Sequence, residues 1–111
     1  MGPGYGERLE FNGGELYYTE SVTEAEAEKL GDYFVKIAFF DGEEKSVQFD
    51  KEGDALQVRL VILPDFQDSA EVRKDLEGIA AETSRSLFDG NPVEVHICDD
   101  QFETVHVVKA G

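Results

Sequence analysis

Cysteine and basic residues are both scarce in this chain. Of its 111 residues only Cys98 is a cysteine, so no disulfide can form within the chain, and nothing points to an oxidising compartment. Lysine and arginine number 10 against 25 aspartates and glutamates, which gives a formal net charge of −15. Binding to nucleic acids or to anionic membrane surfaces requires clustered basic residues, so the composition argues against both classes of partner.

Long hydrophobic runs are absent as well. No apolar stretch approaches the roughly 18 residues that a membrane-spanning helix requires, and the N-terminus has no signal-peptide pattern. We therefore expect a cytoplasmic chain without direct membrane insertion, either by itself or as the soluble domain of a larger, membrane-tethered protein. Hydrophobic residues make up 41% of the sequence, with eight phenylalanines and four tyrosines, which is enough for one folded core.

The beginning of the chain differs in composition from the rest. The opening MGPGYGERLEFNGG is rich in glycine, so we expect residues 1–13 to form a flexible tail, a linker or a tag remnant. Residues 14–111 then form one domain. Its first element is a strand over GELYYTE, where large side chains alternate with small or polar ones.

Two later segments have the periodicity and the start signals of amphipathic helices. Ser21 with Glu24, or Thr23 with Glu26, makes a capping box at the start of the first helix, and the second begins near Asp68. Apolar residues then recur at helical spacing, and Asp-Gly pairs at 41–42 and 89–90 end both segments. The pattern therefore predicts two helices of similar design.

Each predicted helix also contains an interior glycine, Gly31 in the first and Gly78 in the second. Glycine costs about 1 kcal/mol relative to alanine in the middle of a helix. A glycine in both helices predicts that the two helix backbones approach each other closely.

The segment FFDGEEKSVQFD at 39–50 returns in altered form as LFDGNPVEVHIC at 87–98. The offset is 48 positions, and one deleted residue in the loop of the last hairpin extends the match to Val105 and Val107. The positions that then correspond, all expected to be buried, are Val47, Phe49, Val58 and Leu60 in the first unit and Val95, Ile97, Val105 and Val107 in the second. This echo predicts a duplicated α-β-β unit.

The predicted element order is β-α-β-β-α-β-β. Two amphipathic helices and half-buried strands pack best as two layers, so we predict an α+β fold with both helices on one face of an antiparallel sheet of about five strands. The strands at the two edges of such a sheet are open to pairing with a partner or with a second copy of the chain.

The same mapping sets a register for the closing hairpin, with Val95 opposite Val105. The side chains that then share the outer face of the sheet are Glu94, His96, Cys98 and His106. Two imidazoles, a thiol and a carboxylate are ligands that Zn²⁺ or Cu²⁺ prefers. The alternative is a merely polar surface, because Gln48 and Arg59 occupy the histidine positions in the first unit. A shift of the register by one residue would move His106 to the inner face.

The sequence shows no arrangement of residues that is typical of a catalytic site. Ser84 and Ser86 lie on the second helix without a histidine in local reach, and no glycine-rich phosphate loop or calcium loop occurs. The chain is therefore predicted to be no enzyme and to need no cofactor. We expect a protein-interaction or accessory module of a larger bacterial protein or assembly, with an unknown protein partner or a second copy. A transition-metal-binding domain is the alternative.

The segment YYTESVTEAEAEKLGDYFVKIAFFDG also carries a resemblance. Its pattern resembles soluble domains of uncharacterised bacterial proteins, some with membrane spans elsewhere. The motif residues are Tyr17, Tyr18, Val22, Thr23, Leu30, Gly31, Phe39 and Phe40. The resemblance covers under half of the chain and implies a fold and a modular organisation, and no activity. The acidity and the helix-plus-hairpin plan are also similar to those of small acidic secretion chaperones, which have a different number of strands.

Overall fold

A computed structural model of the chain describes residues 6–109, which form two α-helices and six strands. In chain order the elements are β1 (Glu7–Phe11), β2 (Gly14–Tyr18), α1 (Glu24–Lys36), β3 (Ser46–Glu52), β4 (Ala55–Val61), a 3₁₀ turn (Pro64–Phe66), α2 (Ala70–Leu87), β5 (Val93–Cys98) and β6 (Thr104–Lys109). The predicted α+β class and the two helices are confirmed, and the sheet has one strand more than predicted.

The six strands lie in one open sheet in the order in which they occur in the chain, from β1 to β6. Three antiparallel hairpins, β1–β2, β3–β4 and β5–β6, follow one another. Each helix connects one hairpin to the next, and β2–β3 and β4–β5 therefore pair in parallel. The prediction of a purely antiparallel sheet is wrong, because a helical crossover returns the chain to the end of the sheet from which it left.

The additional strand comes from the segment predicted to be a tail. β1 pairs with β2 through a tight turn in which Asn12 (φ 46°) and Gly13 (φ 87°) both have positive φ, as a two-residue hairpin turn requires. Residues 7–11 therefore belong to the sheet and residues 12–13 form its first turn, so the predicted tail over residues 1–13 is wrong for this part. Its residues 1–5 lie outside the described residues.

Side chains cap both helices at the N-terminus. The Thr23 hydroxyl accepts from the Glu26 backbone N–H at 3.1 Å, and the Glu26 carboxylate accepts from the Thr23 backbone N–H at 2.9 Å, which confirms the second of the two predicted capping boxes. α2 starts one residue later than predicted, because Ser69 is its N-cap. Within residues 6–109 neither helix is long and apolar enough to cross a membrane.

The core lies between the helices and the middle of the sheet. The four inward positions predicted for the β3–β4 hairpin are completely buried, and so are Val95 and Ile97 of β5. Phe49 packs against Phe88 with ring centroids 5.4 Å apart. The prediction fails for Val105 and Val107, which are 44% and 47% exposed. The inward positions predicted in β3, β4 and β5 are therefore confirmed as core, whereas in β6 the buried residue is Val108.

The error in β6 comes from the register. Val95 pairs with Val108, and Ile97 pairs with His106, so the offset of 48 positions continues through β6 with no deletion. An irregularity between Ile97 and Cys98 leaves Val105 as an extra residue without a partner in β5. The duplication of the α-β-β unit stays a prediction, but the residue correspondence assumed for its last strand is wrong.

The two interior glycines do not mark a close approach of the helices. A side-chain carbon at Gly31 would overlap the ring of Phe11 in β1, whereas one at Gly78 would meet nothing within 4 Å. The helices touch instead where the Tyr33 hydroxyl donates to Glu82 Oε1 at 2.8 Å. Burial, and then this hydrogen bond to a carboxylate, raise the pKa of Tyr33, so its hydroxyl keeps the proton that it donates. Next to this contact an open cleft separates the helices.

The acidic excess should make the stability of the domain depend on salt. Among the lysines and arginines of the described residues only Arg8, Lys45 and Lys109 pair with a carboxylate, so most of the 25 acidic side chains repel one another. Salt screens this repulsion. We expect the thermal midpoint at neutral pH to rise by several degrees from low to molar NaCl, measured by circular dichroism.

The control for the salt effect is the same titration near the isoelectric point, about pH 4.3, where the net charge vanishes. The rise should be much smaller there. A midpoint that falls with NaCl at neutral pH would show that the few ion pairs outweigh the repulsion.

Candidate functional site

Glu94 and His96, two of the residues predicted to bind metal, lie side by side on the outer face of β5. The Nε2 atom of His96 is 3.1 Å from Glu94 Oε1, and its Nδ1 atom is 2.9 Å from the Thr104 hydroxyl. His96 is buried although no helix covers this face. Both ring nitrogens are therefore engaged in hydrogen bonds within the protein, which fixes the ring and leaves no nitrogen free for a ligand.

Cys98 follows on the same face and is completely buried. Its Sγ atom lies 3.6 Å from the carbonyl oxygen of His96 and 3.9 Å from the Thr104 hydroxyl. Burial raises the pKa of the thiol, so the thiolate is disfavoured at neutral pH. This environment suits a packed core cysteine, and it disfavours the thiolate form that a nucleophile or a metal ligand requires.

His106, the fourth predicted ligand, lies on the opposite face of the sheet. Its backbone pairs with Ile97, so its side chain points towards the helix layer, where Nε2 contacts Asp68 Oδ1 at 2.8 Å. The predicted clustering of His106 with His96 is wrong because the assumed register was wrong. The Asp68–His106 contact joins the segment before α2 to the edge strand β6.

No three histidine, cysteine, aspartate or glutamate side chains in the range 6–109 are arranged to hold a metal ion. Metal binding by Glu94, His96 and Cys98 stays a prediction. Isothermal titration of Zn²⁺ into the protein and into its His96→Ala variant would test it, and equal heats from the two proteins would exclude this site.

A larger surface feature is the cleft between α1 and α2, with a volume of about 830 Å³. One wall comes from the end of α1 with Ile37, the other from α2 with Val72 and Ile79, and the segment after β4 contributes Leu63 and Phe66. Leu63 is 65% exposed and Phe66 is 51% exposed. A mainly apolar, concave surface of this size is typical of a ligand or segment binding site.

The sequence contains an indication of this cleft that the assignment of strands and helices did not use. The apolar run VIL at 61–63 continues beyond the end of β4, and PDF follows it directly. Connections between elements are usually polar, so large apolar side chains in the β4–α2 connection indicate a surface with a purpose other than packing.

The edges of the sheet form a second candidate surface, and the two edges differ. β1 carries Glu7, Arg8 and Glu10, and Arg8 forms ion pairs at 3.1 Å with both Glu10 and Glu15. β6 reads TVHVVK and has no acidic residue. Its exposed apolar side chains are Val105 and Val107. Charged edge strands resist pairing with other chains, so β6 is the edge that is open to it.

The fold places the chain among two-layer α+β domains with two helices on one face of an open, mixed, six-stranded sheet. The chain belongs to the AF_1994_N family, since the model of that family's N-terminal domain matches residues 8–110. This membership is consistent with the resemblance to an uncharacterised domain family that the sequence suggested. No curated protein and no solved structure matches the chain.

Proposed function

We propose that this chain is a non-catalytic interaction domain that assembles through the edge strand β6. The observation that supports it is the contrast between the two edges of the sheet. In a chain with 25 acidic residues, β6 has none, and it exposes two valines. The family's description as an N-terminal domain supports a role as the accessory module of a larger protein, and the lone buried thiol suits a cytoplasmic location.

We infer that the domain is non-catalytic from the surroundings of the side chains that could act as a nucleophile or a base. His96 has both ring nitrogens hydrogen-bonded, and burial disfavours ionisation of Cys98. His106 lies on the other face of the sheet from both. A nucleophile needs a base in hydrogen-bond reach, and these three residues do not form such a pair.

The partner at β6 is a second copy of the chain. Antiparallel pairing of two β6 strands about a two-fold axis perpendicular to the sheet keeps both helix layers on the same side. With Val107 opposite Val107 of the second copy, Val105 lies opposite Lys109, and no carboxylate of either strand faces the other. The unpaired backbone groups of both edges are then satisfied, and the exposed valines are buried. The product is a twelve-stranded sheet.

This assembly makes the oligomeric state depend on concentration and salt. Sedimentation velocity should show a monomer–dimer equilibrium between micromolar and millimolar protein. Molar NaCl should shift it towards the dimer, because salt screens the repulsion between two chains of net charge −15. Val107→Glu should abolish the dimer, since it brings two carboxylates together at the pairing centre.

The matched control is Val35→Glu, which introduces the same carboxylate at an exposed valine on α1 (39% exposed) and should leave the dimer unchanged. A protein that stays monomeric at millimolar concentration in molar salt would overturn pairing through β6. Equal loss of dimer in both variants would show that net charge, and not the β6 edge, governs association.

A further inference from the structure

The cleft between α1 and α2 combines an apolar wall with an unusual local charge. Lys45 and Lys74 line the cleft itself. Lys29 and Lys36 line a smaller cavity of about 370 Å³ on α1 that shares Tyr33 and Glu82 with it. Four of the six lysines of the chain therefore collect where the two helices meet.

The acidic residues that line the same two cavities are Asp32, Asp75 and Glu82. Lysines thus outnumber carboxylates here, although acidic residues outnumber basic ones by 25 to 10 in the whole chain. The carboxylate of Glu82 is occupied by the Tyr33 hydroxyl. Lys74 has no ion-pair partner within residues 6–109, whereas Lys45 bonds Asp41 at 3.0 Å and lies over the ring of Phe39. Lys74 is therefore available to an anion at the cleft.

Gly78 gives the wall of α2 a second feature. It lies in the middle of the helix, where glycine is unfavourable, and no atom of the protein occupies the space that a side chain would fill. The packing of the domain does not explain this glycine. Its absent side chain leaves the backbone of α2 open to the cleft, as the close approach of a bound chain would require.

We propose that the cleft binds a single-chain anionic amphiphile, a fatty-acid-like ligand whose alkyl chain lies between Ile37, Leu63, Phe66 and Ile79 and whose carboxylate pairs with Lys74. The apolar wall and the volume suit the alkyl chain. The lysines favour a negatively charged head group, whereas the net charge of the protein, −15, favours a positively charged one. The proposal is independent of assembly through β6, which lies at the edge of the sheet.

The first test compares head groups on one alkyl chain. Dodecanoate, dodecyl maltoside and dodecyltrimethylammonium are titrated below their micelle concentrations into the ¹⁵N-labelled protein at physiological salt. Dodecanoate should bind most tightly, with shifts at the backbone amides of residues 61–63, 65–66 and 72–82. Affinity should rise about fourfold for each methylene from octanoate to dodecanoate, as expected when each methylene becomes buried. Tighter binding of the ammonium compound would show that net charge dominates and would overturn the proposal.

The second test uses two charge reversals of equal size. Lys74→Glu should weaken dodecanoate binding by roughly threefold to tenfold, in the range of a surface ion pair lost and replaced by repulsion. Lys51→Glu changes the net charge equally at a lysine that does not line the cleft, about 20 Å along β3 from Lys45 at 3.3 Å per residue. It should change the affinity by less than about twofold, since this distance exceeds two Debye lengths. Equal effects of both variants would contradict a lysine site in the cleft.

The third test fills the cleft without weakening the fold. Gly78→Leu places a side chain into the empty space on the wall of α2 and improves the helix propensity, so the variant should stay folded. Dodecanoate affinity should fall more than tenfold. Unchanged affinity, or binding of an acidic amphipathic peptide in place of dodecanoate, would overturn the proposed ligand.

Discussion

Truncation of Phe49 to alanine should lower the free energy of unfolding by about 3–5 kcal/mol, the range for a buried phenylalanine. Phe49 lies in β3 near the middle of the sheet, is completely buried and packs against Phe88 at the end of α2. The loss therefore removes contacts to both layers. Domains of this size have a total stability of about 5–15 kcal/mol, so the variant should be close to unfolding at ambient temperature.

The measurement is urea unfolding followed by far-ultraviolet circular dichroism. Phe66→Ala is the matched control, because it removes the same side chain from a half-exposed position in the cleft. It should cost less than about 1 kcal/mol, as surface substitutions usually do. Similar losses in the two variants would contradict the placement of the core between the helices and the middle of the sheet.

The two interior helix glycines should respond to alanine with opposite signs. Gly31→Ala should destabilise the domain by about 1–3 kcal/mol, because the new methyl group would overlap the ring of Phe11, which is itself stacked on Phe40. Gly78→Ala should stabilise it by about 1 kcal/mol, because alanine has the better helix propensity and meets nothing at the cleft wall.

The two alanine variants control for each other, since each makes the same chemical change in the middle of a helix. Thermal or urea unfolding of both, without ligand, decides the comparison. If both variants were stabilised, the Phe11 ring would not pack on α1 as described. If both were destabilised, Gly78 would be needed by the fold, and the argument that it leaves room for a ligand would fail.

Local chemistry predicted the elements whose determinants are close together in the sequence. The Thr23–Glu26 capping box needs only four consecutive residues, and the structure confirms it. The alternation that placed Val47 and Phe49 inside the protein is likewise a property of one strand. β1 was also encoded locally, by the Asn12-Gly13 pair between apolar residues. The glycine content of the first 13 residues hid this turn signal.

The predicted clustering of His106 with His96 failed at a step that local chemistry does not determine. Whether His106 lies beside His96 depends on the register of β5 and β6, and one residue of difference moves a side chain to the other face. The register is set by the irregularity at Val105 and by the burial of Val108 beneath the helix layer. Both result from packing across the whole sheet, so an extrapolated sequence repeat gave the wrong face.

The sequence by itself determined the helix starts, the hairpin turns and the inward residues of β3, β4 and β5, because caps, turns and side-chain alternation act over a few residues. The tertiary structure decided the parallel pairings, the face of His106 and the cleft between the helices. These features depend on how separate elements dock. The sign of the charge at the cleft belongs to this second group, since lysines that are far apart in a strongly acidic sequence become neighbours only when α1 and α2 meet.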